Sequence, residues 1–238
     1  MADHIRTAYI TGGSKGIGYG IAEVLIKEGV KVAITSRSSV AAELAAAKLN
    51  EIKPGYALGV AADVRDLASQ QRAVGQIVAQ WERLDYVIAN AGVGHFAPIQ
   101  QMTPEQWQET IDINLTGVFN TAKATLDELK KTQGYFITIA SLAGTNFFEK
   151  GAAYNASKFG LVGFTQAVML DLRSEGIKVS TIMPGSVATE FANTQPTEAD
   201  AWKIQPEDIG HIVYDLLKMH PRTLPSKVEV RPTRPGGK

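Results

Sequence analysis

Thr7-Ala8-Tyr9-Ile10-Thr11-Gly12-Gly13-Ser14-Lys15-Gly16-Ile17-Gly18 decides how the rest of the chain is read. Residues 7–11 form a short run with β-branched and aromatic members, the texture of a buried strand. Gly12-Gly13 ends it. Over 16–28 apolar residues recur at helical spacing (Ile17, Ile21, Val24, Leu25), and Gly29 supplies a C-terminal stop. A strand passing through a glycine-rich turn into a helix opens a βα unit. Glycine permits positive φ and close backbone approach, while a helix N-terminus presents free N–H groups and partial positive charge. The turn therefore suits a pyrophosphate. Its spacing, G-x-x-x-G-x-G, differs from the G-x-G-x-x-G of the general dinucleotide fingerprint, and a glycine-rich turn with no ligand has the same composition.

The alternation continues outward from this unit. Further strands are read at 31–35, 57–61, 86–89, 135–139, 178–182 and 227–230. Helices are read at 39–49, 67–81, 104–131, 152–173 and 206–219, with a loop-like stretch from 184 to 205. Strands separated by helices of this length pair in parallel, because the connection has to cross the sheet. No linker, repeat or low-complexity tract interrupts residues 1–238. The expected fold is a single α/β, doubly wound Rossmann-type domain: a parallel seven-stranded sheet with helices on both faces. Its cofactor half is about residues 1–135 and its catalytic, substrate-facing half about 136–238. The helices near 107–129 and 159–170 carry apolar residues on more than one side, among them Trp107, Phe119, Phe159 and Leu170. That surplus fits either a contact in a homodimer or homotetramer or a deeply buried internal helix.

Composition excludes several classes. Lys+Arg and Asp+Glu both number 24, so no net field points to nucleic acid or to a membrane surface. With no cysteine and four scattered histidines (His4, His95, His211, His220), no metal-ligand cluster and no disulfide framework is expected. No apolar run approaches a membrane span, and the expected location is the cytoplasm.

The second strand ends in Thr35-Ser36-Arg37-Ser38, where an acidic residue would hold the ribose 2′-hydroxyl of NAD. None is there. Arg37, with Lys15, is placed to meet a 2′-phosphate through charge-assisted hydrogen bonds, which favours NADP(H); two solvated surface cations are the alternative. Farther on, Tyr154 and Lys158 are four residues apart and share one face of a helix. An ammonium near a phenol favours the phenolate and lowers its pKa, and Ser141 upstream offers a hydroxyl to a carbonyl. A rival reading takes Gly12-Gly13-Ser14-Lys15-Gly16 as a G-x-S-x-G nucleophile elbow with His95 or His211 as base. Only 11 residues precede Gly12, too few for the strands and oxyanion loop such a hydrolase needs.

With these motifs in register, the chain resembles the short-chain dehydrogenase/reductase family over nearly its whole length. Residues 11–18 resemble the family's T-G-x-x-x-G-x-G cofactor loop, which implies contacts from Gly12, Ser14, Lys15, Gly16, Ile17 and Gly18. Ser36, Arg37 and Ser38 would meet the adenosine ribose. Asp63-Val64 resembles the adenine-contacting pair, and Asn90-Ala91-Gly92 the N-A-G motif. Pro184, Gly185, Val187 and Thr189 resemble the segment that holds the nicotinamide carboxamide, and Asn114, Ser141, Tyr154 and Lys158 fall where the family has its catalytic tetrad. The resemblance implies an NADP(H)-dependent exchange of hydride between nicotinamide and a small-molecule carbonyl or secondary alcohol. In it Ser141 would bind the carbonyl, Tyr154 would give the proton, Lys158 would bind the nicotinamide ribose and Asn114 would hold a relay water. A non-catalytic dinucleotide sensor is the competing reading, and it has no need of the Ser141, Tyr154 and Lys158 set. Residues 93–97, 142–150 and 186–203 would line the substrate pocket, contributing His95, Phe96, Phe147, Phe148, Phe191 and Trp202. Among family members the chain is similar to oxoacyl-carrier reductases and hydroxy-acid dehydrogenases. Its basic, proline-rich C-terminus is more similar to the latter and to small-carbonyl reductases.

Overall fold

Strand β1 (Thr7–Ile10) is buried along its whole length, as a central strand covered on both faces must be. In the computed structural model, which describes residues 4–234, α1 (Gly16–Lys27), β2 (Lys31–Ser36), α2 (Ser39–Ile52) and β3 (Ala57–Ala61) follow it. Next come α3 (Leu67–Trp81), β4 (Tyr86–Ala89), α4 (Pro104–Ile111), α5 (Gly117–Thr132) and β5 (Tyr135–Ile139). The chain closes with α6 (Ala152–Leu172), β6 (Lys178–Pro184), α7 (Pro206–Lys218) and β7 (Lys227–Val230). Residues 235–238 of the basic tail lie outside the described residues.

All seven strands are parallel, in the order β3-β2-β1-β4-β5-β6-β7. The order reverses between β1 and β4, so the crevice beyond their C-terminal ends is where a doubly wound sheet binds ligands. Side chains alternate between two cores, as strand geometry requires. Ala8, Ile10, Val32 and Ile34 pack with Ile21 and Leu25 of α1, Leu49 of α2 and Ile209 and Val213 of α7. Tyr9, Ala33, Val87 and Phe136 face the other way, against Val74 and Ile77 of α3, Val118 and Leu129 of α5 and Leu161 of α6.

Three features depart from the sequence reading. Strand β6 runs two residues past 182, to Pro184, because β7 pairs with it as far as Val230. The helix read at 104–131 is broken by one turn of π-helix, Asp112–Thr116, whose extra residue re-aims the side chain of Asn114. The third is a buried charge. Asp85, 1% exposed, accepts hydrogen bonds from Arg83 (2.6 and 2.8 Å), Arg6 (2.8 Å) and the Thr7 amide (2.9 Å), tying the starts of β1 and β4 together. Burial opposes ionisation of Asp85, but the donors from Arg83 and Arg6 outweigh it and hold the carboxyl below its usual range.

Candidate active site

The glycine loop and the Asn90-Ala91-Gly92 turn meet at the switch point and are locked to each other. The Thr11 hydroxyl accepts the amides of Asn90 (3.0 Å) and Ala91 (3.1 Å), and the Asn90 side-chain amide donates to the carbonyls of Thr11 (3.0 Å) and Gly12 (3.1 Å). Gly12 sits at φ 64°, and a Cβ there would lie 2.9 Å from the Ala91 Cα. A Cβ at Gly18 would come 2.5 Å from the Asn90 amide nitrogen. Both positions require glycine, for conformation at Gly12 and for space at Gly18.

Beyond the two loops lies a cleft of about 680 Å³. Every residue expected to bind cofactor lines it except Gly18 and Ser38. Gly18 is spent beneath the loop, and the Ser38 hydroxyl caps α2 by accepting the Ala41 amide at 3.3 Å. Helices α2, α3 and α4 are capped by Ser38, Asp66 and Thr103, whereas no side chain caps α1, which starts after extended Lys15. Its first-turn donors at the cleft suit an anion. Lys15 and Arg37 line the same cleft, so the residues present fit a phosphorylated dinucleotide. Asp63 lines it too, but Arg65 grips its carboxylate at 2.6–3.0 Å, and that hydrogen bonding holds the acid below its usual range. The cap of α3 is Asp66 and not Asp63, its carboxylate accepting the Ala68 amide at 2.9 Å.

The far end of the cleft holds Ser141, Tyr154 and Lys158. Asn155 presses the start of α6 onto the loop after β5 by donating to the carbonyls of Ala143 and Asn146, each at 2.7 Å. Rings of Phe96, Phe191 and Phe148 surround Tyr154 at centroid distances of 5.4, 5.7 and 6.4 Å. This apolar cage corrects the expectation of an acidified phenol. Burial pushes the Tyr154 pKa up, opposed by the hydrogen bond with Ser141. Lys158 is too weakly coupled to reverse that. Its Nζ donates to the Ile139 carbonyl at 3.0 Å and stands 5.7 Å from the Tyr154 ring centroid, and burial lowers its own pKa to about 8. In this state the proton stays on the phenol.

Asn114 sits behind the cleft and does not line it. Its amide donates to the Val93 carbonyl (2.9 Å) and the Ser157 hydroxyl (3.1 Å), and its oxygen accepts the Val93 amide (2.8 Å). Both side-chain donors are committed, so any water held by Asn114 has only acceptors to meet. The sequence reading missed Glu109. Its carboxylate lines the cleft, accepts the His95 ring at 2.8 Å and lies 3.9 Å from Arg37. His95, a candidate base in the rival hydrolase reading, is engaged there and not at Ser14. No group of His, Asp and Glu that could hold a metal occurs among the described residues, and no helix among them is long and apolar enough to cross a membrane.

The buried Lys158 has a consequence for stability. Its folded pKa, about 8, lies below the unfolded 10.5, so between these values the unfolded chain binds more protons and stability rises with pH. In the ligand-free protein, urea unfolding of wild type and Lys158→Met at about pH 7 and about pH 10 is expected to diverge. The wild type should gain roughly 2–3 kcal/mol relative to the variant. Parallel pH profiles would exclude the depressed lysine.

Comparison with known proteins adds the family relation. The family model described as short chain dehydrogenase matches residues 6–200. A D-threitol dehydrogenase of Mycolicibacterium smegmatis is 34% identical over 79% of this chain and 72% of its own. An alcohol dehydrogenase from Thermococcus sibiricus, solved with 5-hydroxy-NADP, superposes with a TM-score of 0.91 at 27% identity, covering 98% of this chain and 99% of its own. A 3-ketoacyl-(acyl-carrier-protein) reductase from Brucella melitensis, solved with NADH, gives 0.88 at 25% identity, covering 97% and 98%.

Proposed function

The chain belongs to the short-chain dehydrogenase family, and the two solved relatives described above hold dinucleotides; from that premise we propose that it is an NADP(H)-dependent reductase of a small carbonyl compound, acting through Tyr154. The observation that carries this reading is the convergence of Ser141, Tyr154 and Lys158 on the cleft that begins at the uncapped N-terminus of α1. When bound, the nicotinamide supplies the hydride that the carbonyl carbon receives. Tyr154 gives its phenolic proton to the carbonyl oxygen, and the Ser141 hydroxyl hydrogen-bonds that oxygen as negative charge builds on it. Lys158 holds the nicotinamide ribose and offsets the charge left on Tyr154. Asn114 keeps the 93 loop against α6. Pro184, Gly185, Val187 and Thr189 flank the nicotinamide end, and Lys15, Ser36 and Arg37 the adenosine phosphate end.

The raised phenol pKa agrees with this direction, since a proton donor has to arrive protonated. The cage of Phe96, Phe148 and Phe191 supports an apolar group next to the reacting carbonyl. The test is oxidation of NADPH against a panel of diketones, quinones, oxoacyl thioesters, sugars and steroids. Consumption that depends on both carbonyl and enzyme supports the reading, and binding of NADPH with no turnover on any member would favour the sensor.

Self-association belongs to the same proposal. Trp107 of α4, Phe119 of α5 and Phe159 and Leu170 of α6 are 41%, 46%, 37% and 54% exposed, although α5 and α6 cover one sheet face with other residues. Light scattering is expected to give two or four times the 25.6 kDa chain mass. A monomer at assay concentration contradicts the oligomer.

A further inference from the structure

A second cavity, of about 700 Å³, shares Ser141, Tyr154, Gly185 and Ser186 with the first cleft. Its walls are Phe147 and Phe148 from the loop after β5, Trp202 from the segment before α7, and three residues that follow β7: Arg231, Pro232 and Arg234. The tail is anchored as far as Pro232. The Gly185 amide donates to the Val230 carbonyl at 2.8 Å, and Pro232 packs so close to Gly185 that a Cβ there would lie 3.3 Å from the proline Cδ.

The charge on these walls is one-sided. Among the described residues no acidic one lines the cavity, while two arginines do, in a chain whose formal net charge is zero. Arg231 is partly offset by Glu229, at 3.0 Å and with both side chains about half exposed, a pairing that a buried competitor readily replaces. Arg234 makes no ion pair among the described residues. An arginine fork matches a carboxylate in plane and spacing, and two of them beside aromatic walls describe a site for an apolar molecule with an anionic end.

We infer that the substrate carries a carboxylate held by Arg231 and Arg234, with an apolar body between that carboxylate and the carbonyl reduced at Tyr154. This rests on the reductase reading and names the substrate class of the same site. The tail then acts as a specificity wall: it binds the end of the substrate that does not react, and the reacting end is left to Ser141 and Tyr154.

The experiment compares 4-acetylphenylacetate, whose ring lies between ketone and carboxylate, with its methyl ester as NADPH-dependent substrates of the full chain, in wild type and in the Arg231→Gln/Arg234→Gln double variant. In wild type, kcat/KM for the acid is expected to exceed that for the ester at least about tenfold, a gap that narrows as salt is raised. In the double variant, KM for the acid should rise about tenfold or more with kcat nearly unchanged, while the ester is unaffected. An Arg231→Lys/Arg234→Lys variant should recover part of the acid preference, since charge is kept and the fork lost. Equal use of acid and ester by wild type overturns the inference, as does equal loss of both in the double variant. An enzyme that reduces a small neutral diketone but neither phenyl compound also overturns it, with the reductase reading intact. Failure with every carbonyl removes the reading itself.

Discussion

Replacing Tyr154 with Phe is expected to lower kcat for carbonyl reduction by about 10²–10⁴-fold, the range supplied by a positioned general acid. The affinity for NADPH should change by less than about threefold, a loss below 1 kcal/mol. The asymmetry follows from where the hydroxyl sits. The ring of Tyr154 is held by Phe96, Phe148 and Phe191, and phenylalanine keeps those contacts. The dinucleotide phosphates are expected at the N-terminus of α1, at the opposite end of the cleft, where nothing changes. What is lost is the one acidic proton beside Ser141. Turnover within about threefold of wild type would exclude Tyr154 as the acid, and a collapse of NADPH binding along with turnover would point to damage of the whole cleft.

The second large effect concerns the coenzyme's phosphate. Arg37 follows β2 at the cleft, its side chain 59% exposed and 3.9 Å from the Glu109 carboxylate. On the proposed contact with the 2′-phosphate, Arg37→Asp would remove charge-assisted hydrogen bonds, worth about 1.5–3 kcal/mol, and add repulsion of that phosphate. The Kd of NADPH should rise roughly 10- to 100-fold or more, and NADH should bind better as the new carboxylate meets the ribose hydroxyl. Glu109→Gln is expected to act in the opposite sense. Its carboxylate competes for Arg37 and repels the same phosphate, so removing the charge should tighten NADPH by up to about fivefold, the scale of an exposed pair, and leave NADH unchanged. Titration of both coenzymes into the three proteins measures this. An unchanged NADPH/NADH ratio in Arg37→Asp would remove the phosphate assignment.

The parts of the fold that periodicity controls were legible in advance. Each strand core reads as a short apolar run because helices cover both faces, and each βα turn carries glycine or a capping residue, as at Gly12 and Ser38. The π turn at Asp112–Thr116 left no such mark. Inserting one residue into a helical register is a tertiary event, stabilised by the Asn114 amide clasping the Val93 main chain. Its partner, 21 residues away, could not be named from spacing. The same limit hid Glu109 and the two tail arginines, whose surroundings come from how α4 and β7 dock.

The direction of the Tyr154 shift was misread for a related reason. Four-residue spacing brings Lys158 to the same helix face, yet says nothing of the three phenylalanines that desolvate the phenol or of the Ile139 carbonyl that engages the amine. Ser38 shows the reverse case. Its place beside Arg37 suggested a phosphate contact, while its position before α2 already marked it as a cap.

A crystal structure of the protein grown with NADP⁺ tests hydride transfer beside Tyr154 at its root. The pyrophosphate is expected at the first turn of α1, the 2′-phosphate at Arg37, and the nicotinamide between Tyr154 and the 184–189 segment, leaving room for a carbonyl carbon at about 3–3.5 Å from its C4. A nicotinamide ring lodged away from Tyr154, or a coenzyme bound outside the cleft, would contradict it.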